Sequence, residues 1–426
     1  MNEKLLQFIW QFQYFNKNEL TTVEGAPLSI IHPGHFNHNQ GPDFSEAKIK
    51  LGNTTWVGNI EIHDEASQWH AHHHTNDHNY SNIILHVVWN DDVKIKDTNG
   101  QSISTLELQP LVSKFMLQQY EQLMNTKGFV ACEDHLPVLS TVGWLSWKER
   151  LTIERLKRKA TSVLENLQQA NNHWEEIFWW QLAKNFGAKV NATAFEQIAR
   201  SLPVKILAKH KNQINQLEAL ILGQANLLNG NFEEDYPKML QREYKFLSGK
   251  YQLKPINKAP DFLRMRPANF PTIRLAQLAM LVYNSTQLFS KILEINNLID
   301  LRKLLDVTAN DYWHYHYLFD QPTNYKPKNL GAEMTDNILI NTIVPMLFAY
   351  GMYHNQQQWK NKAIQYLLEL PVEKNKITNA WKDCKVSNEN ALESQALIEL
   401  KNNYCDNKRC LQCAVGCKLL RVEETL

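Results

Sequence analysis

The stretch Gly41–His63, GPDFSEAKIKLGNTTWVGNIEIH, contains two runs of alternating apolar residues on either side of Gly52-Asn53. Alternation with a period of two is typical of strands with one buried face, and a Gly-Asn pair between two such runs predicts a hairpin. Asp43 follows the Gly-Pro corner, and Glu61 lies 18 residues later in the second run. If the strands pair through this turn, the two carboxylates lie nearly opposite each other.

The residues around this hairpin predict further short elements of both kinds. Apolar spacing of three to four predicts a helix over residues 3–15. Turn signals separate short strands at residues 28–32, 46–52, 54–63, 82–89 and 93–97, and residues 104–124 add a strand and a helix. We therefore predict an α+β domain over residues 1–140, with helices flanking a mixed sheet.

The pattern changes after about Gly143 and becomes helical almost throughout. Segments with apolar faces of period 3.6 lie at residues 147–169, 174–187, 192–203, 214–228, 271–285, 298–305 and 360–370. No constant repeat period links them, which argues against a solenoid. We predict a mainly α-helical domain over residues 141–400 and a cysteine-rich, metal-binding segment over residues 401–426 that packs on the body of the protein.

The composition of the 426 residues is that of a soluble globular protein. Hydrophobic residues make up 43%, and 45 basic residues face 44 acidic ones, so the net charge is only +1. No global basic field points to a polyanionic partner. No apolar run reaches the ~18 residues of a membrane span. Four of the six cysteines crowd into the last 22 residues, which is typical of metal binding rather than a disulfide framework. We expect a cytoplasmic protein without a membrane partner, of undetermined oligomeric state.

Asp43, Glu61 and His63 form the strongest candidate for a catalytic site. Hydrolysis of phosphodiesters needs oxygen ligands for Mg²⁺ or Mn²⁺ and a group that orients or deprotonates water. Glu61 and His63 are two residues apart on a predicted strand, so their side chains leave the same face. We predict that Asp43 and Glu61 bind the metal and that His63, as a neutral imidazole, accepts a proton or ligates the metal.

The spacing Pro42-Asp43 followed by Glu61-Ile62-His63 resembles the PD-(D/E)XK signature of restriction-endonuclease-like nucleases. The resemblance implies the fold of that superfamily, two metal-binding acids, and a lysine two residues after the second acid. His63 stands in the lysine position, so the resemblance implies either a modified nuclease centre or the remnant of one. Glu3, on the first predicted helix, is a candidate for the additional helix acid that such nucleases often carry.

The segment SQWHAHHHTNDHNY, residues 67–80, is the second candidate feature. The run EIHDEASQWHAHHH is similar to the His- and Trp-rich segment of very-short-patch mismatch-repair endonucleases. An extended chain would place His70, His72 and His74 on one face, whereas a helix would cluster His70, His73, His74 and Asp77. A solvated polar loop is the alternative, chiefly for His72 and His73. We predict nucleic-acid contacts for His70, His74 and Tyr80, and a hydrogen-bonded core position for His86.

The C-terminal cysteines follow the pattern Cys405-x₄-Cys410-x₂-Cys413-x₃-Cys417. The two thiolates of a CxxC pair can coordinate one metal ion, and two further thiolates complete a tetrahedral site. The same spacing also matches part of an iron–sulfur pattern. Some nucleases of the superfamily named above hold a cluster with one distant cysteine and three near the C-terminus, for which Cys132 is a candidate. Spacing does not choose between Cys132 and Cys417 as the fourth ligand, and we favour zinc over a cluster.

Basic residues in the helical part are candidates for contacts with phosphates. The segment RMRPANFPTIR contains Arg264, Arg266 and Arg274, which bind a phosphate backbone or anchor a helix start through buried ion pairs. The sequence blocks HPGHFNHNQGPDF, GNIEIH, ILHVVW, RPANFPTIRLAQLA, INTIVPMLFAYG and CLQCAVG also resemble, nearly end to end, a bacterial family known only as a domain of unknown function.

Three hypotheses for function follow. The first is a metal-dependent nuclease that hydrolyses DNA or RNA. The second is a catalytically inactive, nuclease-like module that binds nucleic acid or protein, since the lysine is missing. The third is a metal-dependent hydrolase of small substrates built on the histidine cluster.

Overall fold

The structure is a computed structural model that describes residues 2–37, 40–97, 100–263, 265–285 and 287–421. It confirms the predicted α+β class, with a mixed sheet and flanking helices near the N-terminus followed by a mainly helical region. The chain divides into two compact units. The sheet unit contains residues 1–147, 380–386 and 400–426, and the helical unit contains residues 148–379 and 387–399.

The strands lie in the sheet unit. Their bounds are β1 Leu28–His32, β2 His35–Phe36, β3 Phe44–Leu51, β4 Thr54–Glu65, β5 Ile83–Asn90 and β6 Thr105–Glu107. The sheet order is β1-β3-β4-β5-β6, and β2 pairs with β3. The pairs on the β1 side of β4 are antiparallel, whereas β4-β5 and β5-β6 are parallel. The sheet is therefore mixed, with β4 at the junction of its two halves.

The helices account for most of the remaining chain. In the sheet unit they include α1 Glu3–Phe12, α2 Gln68–Ala71 and α3 Lys114–Asn125. Further along the chain lie α4 Thr141–Gln169, α5 Trp174–Phe186, α6 Ala188–Ser201, α7 Val204–Lys209, α8 Ile214–Gln224, α9 Asp235–Tyr251, α10 Pro271–Asn284, α11 Leu288–Glu294, α12 Leu298–Leu305, α13 Asp311–His314, α14 Ala332–Ile338, α15 Val344–Tyr353, α16 Gln357–Glu369, α17 Lys376–Asp383, α18 Ala391–Glu399 and α19 Ala414–Leu420. Every helical segment predicted after Gly143 coincides with one of these helices, although the ends differ by several residues.

The hairpin predicted around Gly52-Asn53 is confirmed. Leu51 pairs with Thr54 and Phe44 pairs with Ile60, with a register shift between Phe44 and Ala47. Gly58 on β4 lets β5 approach, because a Cβ at this position would lie 2.4 Å from Ile84 Cγ2. The buried residues of β4 and β5 pack with α1 in one hydrophobic core, which includes Trp10, Phe44, Ile60, Ile62, Leu85 and Val87.

The prediction of a strand at residues 93–97 is wrong. Within this segment Lys96 alone forms an isolated bridge, to Ser102. The backbone N–H of Asp97 donates to Gln101 O, and that of Ile103 donates to Ile95 O. The segment therefore folds back on the residues that follow it, so its alternating pattern reflects a local turn with Ile95 buried rather than a strand of the sheet.

The helical unit has its own large core, and some of its helices, such as α8 and α10, are buried on most sides. Fully buried members include Leu182, Leu220, Leu278, Trp313 and Leu347. None of the helices in the described part of the chain combines the length and the apolar character that a membrane span requires.

Glu218 is a buried carboxyl group in this core. Tyr236 Oη donates to Glu218 Oε2 at 2.5 Å, and Trp313 Nε1 donates to the same oxygen at 3.1 Å. Burial raises the pKa of Glu218 from 4.5 to about 7. Since the folded state disfavours the ionised form, Glu218 costs nothing below pH 4.5 and becomes destabilising as the pH rises towards 7.

We therefore expect Glu218→Gln, which keeps an acceptor for both donors, to remove this pH dependence. The free energy of unfolding of the Gln variant minus that of the unchanged protein should increase by about 2–3 kcal/mol between pH 5 and pH 8. Urea unfolding at several pH values measures the difference. A difference that does not change with pH would contradict the assignment.

Candidate active site

Asp43 and Glu61 lie side by side at the end of the β3–β4 pair. The backbone N–H of Asp43 donates to Glu61 Oε2 at 3.1 Å, and the backbone N–H of Ile62 donates to Asp43 Oδ2 at 3.0 Å. Each carboxylate is thus fixed by the strand that carries the other. Gly41 permits the preceding corner, since its φ of +105° belongs to a region that favours glycine. The hairpin pairing brings the two predicted acids together.

Helix α1 adds two polar residues to this pair. Gln7 Nε2 donates to Asp43 Oδ1 at 2.8 Å and to Glu3 Oε1 at 3.0 Å. Glu3 itself is exposed, and its negative charge is one cause of the raised pKa values of Asp43 and Glu61. The helix acid suggested by the sequence therefore lies next to the site and is connected to it through Gln7.

His63 is buried on β4 and faces other imidazoles. Its Nδ1 lies 2.8 Å from His86 Nε2, and its Nε2 lies 3.2 Å from His72 Nδ1. Burial and the neighbouring histidines lower the pKa of His63 to about 2, and burial lowers that of His86 to about 3. His63 is therefore neutral at pH 7 and does not reproduce the positive charge of a lysine. His86 occupies the hydrogen-bonded core position that we predicted.

The histidine-rich segment is neither extended nor one continuous helix. After α2, His73 adopts a left-handed conformation with φ of 59°, and a 3₁₀ turn begins at His74. This reversal brings His72 and His74 to His63, whereas His70 and His73 are exposed. Tyr80 stacks on His74 with ring centroids 3.9 Å apart. The predicted site residues His74 and Tyr80 thus belong to the cluster, and His70 lies at the surface.

Glu61 Oε1 lies beside two of the imidazoles. It lies 3.6 Å from His63 Nε2 and 3.4 Å from His74 Nε2. Ligands at ~2.0–2.1 Å around a tetrahedral ion are ~3.3 Å apart, which is close to these separations. Nitrogen atoms of His63, His72 and His74 lie within 4.8 Å of one another. The side chains are therefore spaced for a single metal ion.

Burial of the site disfavours charge on its own side chains. Burial and the adjacent Glu61 raise the pKa of Asp43 to about 8, and burial raises that of Glu61 to about 8. Burial also lowers the pKa of His74. A bound cation would favour the ionised form of the two acids, whereas the imidazoles already favour the neutral form that can ligate a metal.

The donor set contains more nitrogen than the sequence prediction assumed. Mg²⁺ prefers oxygen ligands and keeps several waters, whereas imidazole suits Zn²⁺ and Fe²⁺ better. His72, Gln7 and Trp69 were not among the predicted site residues. Trp69 packs edge-to-face on His74 and His86 and so helps to hold these two rings in place. The sequence pointed to His72 only through the extended alternative, which placed it on one face with His70 and His74, and otherwise favoured a solvated loop position for it.

The predicted cysteine ligands fall into two groups. Cys132, Cys405, Cys410 and Cys413 line one small cavity in the sheet unit. The thiol of Cys417 instead donates to Leu411 O at 3.3 Å. The structure therefore gathers four of the five predicted ligands from two distant parts of the chain.

The predicted arginines lie in the helical unit. Arg264 lies outside the described residues, and Arg266 is exposed just before a 3₁₀ turn. Arg274 donates to Gln277 Oε1 and Asn269 Oδ1, so it contacts carboxamides rather than the carboxylate of a buried ion pair. It lines a cavity of about 700 Å³ together with Arg158 and Lys159.

Comparison with known protein families gives one match, over residues 3–376, to a family described as "Protein of unknown function (DUF2851)". The chain belongs to this family. The predicted resemblance to a family without assigned function is thereby confirmed. The matched region contains the whole carboxylate–histidine cluster and Cys132 and ends before Cys405. No curated protein and no solved structure matches the chain.

Proposed function

We propose that the protein is a metal-dependent hydrolase that cleaves phosphodiester bonds in nucleic acid. The observation that carries the proposal is the position of Glu61 Oε1 between His63 Nε2 and His74 Nε2, next to Asp43. Buried carboxylates and neutral imidazoles at ligand spacing are the ordinary protein groups of a catalytic metal site. Residues with strongly shifted pKa values also occur more often at functional sites than elsewhere.

Glu61, His63 and His74 are the proposed metal ligands, with His72 as a further imidazole at the surface. His86 Nε2 contacts His63 Nδ1 and so orients the His63 ring. If His63 donates its Nδ1 proton to His86, the lone pair on His63 Nε2 is available to ligate a metal. A divalent ion held here would polarise a phosphoryl oxygen and lower the pKa of a bound water. In this arrangement His63 is a ligand rather than the substitute for a catalytic lysine.

Asp43 is the proposed acceptor of the proton from the attacking water. One hydrogen bond reaches each of its oxygens, from Ile62 N and from Gln7 Nε2. Each carboxylate oxygen can accept a second hydrogen bond, so Asp43 can orient a water while remaining fixed. A bound divalent ion would favour the ionised form of Asp43, which is the form that accepts a proton.

The choice of nucleic acid as substrate rests on the resemblance and on the order of elements. The order of α1 and the antiparallel strands β1, β3 and β4, with Asp43 just before β3 and Glu61 on β4, supports this choice because it agrees with the order that the PD-(D/E)XK resemblance implies. Tyr80 and His70, close to the cluster in sequence, are candidates for contact with a phosphate or a base. The convergence of three histidines favours a second candidate, a hydrolase of small phosphodiesters.

Cleavage assays test these candidates directly. Plasmid DNA, single-stranded DNA, RNA and a small chromogenic phosphodiester are incubated with metal-free protein and with added Mn²⁺, Zn²⁺ or Mg²⁺. We expect cleavage of a nucleic acid, strongest with Mn²⁺ or Zn²⁺. Cleavage of the small diester alone would support the second candidate. Binding of nucleic acid without any cleavage would instead support an inactive binding module and overturn the proposal.

His63→Ala is expected to reduce the affinity for Mn²⁺ or Zn²⁺ by about 100-fold or more, because loss of a supporting residue alone costs ~10–100-fold. Titration calorimetry on the folded, metal-free protein measures the affinity. His78→Ala is the matched control, since His78 is an exposed histidine of the same segment. Equal affinities in the two variants would remove His63 from the metal site.

A further inference from the structure

Four cysteines from two distant segments meet in the sheet unit, away from the carboxylate–histidine cluster in sequence. Cys132 follows α3, whereas Cys405, Cys410 and Cys413 lie between α18 and α19. All four line one cavity, together with Leu123, Ala131, Tyr404, Arg409 and Gly416. All four are free thiols rather than disulfide partners. Four thiols around one cavity are typical of a metal-binding site and are not required for the packing of a hydrophobic core.

We propose that Cys132, Cys405, Cys410 and Cys413 hold a metal centre through four thiolates. On binding, each thiol releases its proton to solvent and its sulfur bonds to the metal. The centre would join the cysteine-rich segment to the loop after α3, and it is independent of the hydrolase proposed above. Cys417 remains outside the centre because its thiol is engaged with Leu411 O.

The surroundings of Cys413 fit a metal-bound sulfur. The Cys413 side chain is buried at the start of α19; burial raises the pKa of its thiol, whereas interactions with the backbone of Gly416 and Val415 favour the ionised form. Such backbone groups would stabilise the negative charge of a thiolate ligand. Cys413 also forms the N-cap of α19, and its own N–H donates to Cys410 O at 3.2 Å.

Gly416 allows the compact turn that presents Cys410 and Cys413 together. A Cβ at residue 416 would lie 2.1 Å from Cys410 O, so any larger residue would push the two turns apart. Arg409 lines the same cavity and lies over the Tyr404 ring at 4.5 Å. Its positive charge would partly balance the excess negative charge of four thiolates around a metal.

The spacing of the sulfurs bears on the kind of metal. Four sulfurs at ~2.3 Å from one zinc ion are ~3.8 Å apart. Among the described residues, the three ligand atoms inside 4.8 Å of one another belong to His63, His72 and His74, so no three of the cysteine sulfurs all lie within 4.8 Å of one another. Wider spacing suits a cluster, in which each thiolate bonds to a different iron. An iron–sulfur cluster is therefore the expected occupant.

The full-length protein purified without oxygen gives the test. We expect bound iron with acid-labile sulfide and broad visible absorption, whereas zinc without colour would identify a single ion on the same ligands. Cys132→Ser and Cys413→Ser should lose the metal, and Cys417→Ser and Cys384→Ser should retain it. Absence of stoichiometric metal from the unchanged protein, or equal loss in the Cys417 variant, would overturn the proposal.

A second measurement does not depend on the folding of any variant. Alkylation of the folded, unchanged protein is followed residue by residue by mass spectrometry, before and after a chelator removes the metal. We expect the four cavity cysteines to be protected while the metal is bound and to react after its removal. Alkylation of any one of them at the same rate in both states would remove that residue from the centre.

Discussion

Asp43→Asn is expected to lower the rate of phosphodiester hydrolysis by about 10²–10⁴-fold, the usual contribution of a general base. The affinity for Mn²⁺ or Zn²⁺ should remain close to that of the unchanged protein. Asn keeps the size of Asp43 and can still accept from Ile62 N, so the loop between β2 and β3 should keep its place. What the variant loses is the ability to take a proton.

Rates under saturating metal and separate metal titrations measure the two effects. Asp77→Asn is the matched control, because Asp77 is exposed and an Asn at this position can still cap the turn that begins at His78. A large loss of metal affinity in Asp43→Asn would make Asp43 a direct ligand rather than a base. An unchanged rate would exclude Asp43 from the mechanism.

Lys148→Ala is expected to destabilise the helical unit by about 3–5 kcal/mol, because it leaves a poorly exposed charge without its partner. The side chain of Lys148 is only 2% exposed. Its Nζ donates to Ser387 O at 2.7 Å, to Ser387 Oγ at 2.9 Å and to Glu393 Oε2 at 2.7 Å. The variant removes these three bonds, and Glu393 keeps its negative charge with little access to water.

Arg150→Ala is the matched control, two residues along the same helix. The Arg150–Glu154 pair is an exposed i,i+4 pair, and its loss should cost less than about 0.5 kcal/mol. Urea unfolding measures both variants, and hydrogen exchange in α18 reports whether the change is local. Equal losses of unfolding free energy in the two variants would mean that burial does not increase the contribution of the Lys148–Glu393 pair to stability.

Much of the fold follows from local pattern. The hairpin at Gly52-Asn53 and the strand at residues 28–32 are confirmed because turn residues and period-two alternation act over short distances. The segment at residues 93–97 alternates in the same way and is not a strand of the sheet. Alternation reports which side of a segment is buried, and it does not report whether a neighbouring strand is available for pairing.

In the candidate site, too, some features were predicted from the sequence and others were shown only by the structure. The turn predicted Asp43 nearly opposite Glu61, but regular pairing counted from Leu51 and Thr54 would place Asp43 opposite Ile62. The register shift between Phe44 and Ala47 moves the pairing by one residue, so that Asp43 lies beside Glu61. The joining of His72 and His74 to His63 depends on the left-handed residue His73 and on packing against Trp69. No spacing rule predicts such a reversal in a run of consecutive histidines.

The sequence by itself determined the α+β class, the paired carboxylates and a cysteine pattern suited to metal, because each depends on contacts within a short segment or on periodicity. Only the tertiary structure decided which distant residues meet. It placed His86 behind His63, and it placed Cys132 rather than Cys417 with the other three cysteines. The physical reason is that contacts between distant segments are set by the packing of whole elements, which no local pattern records.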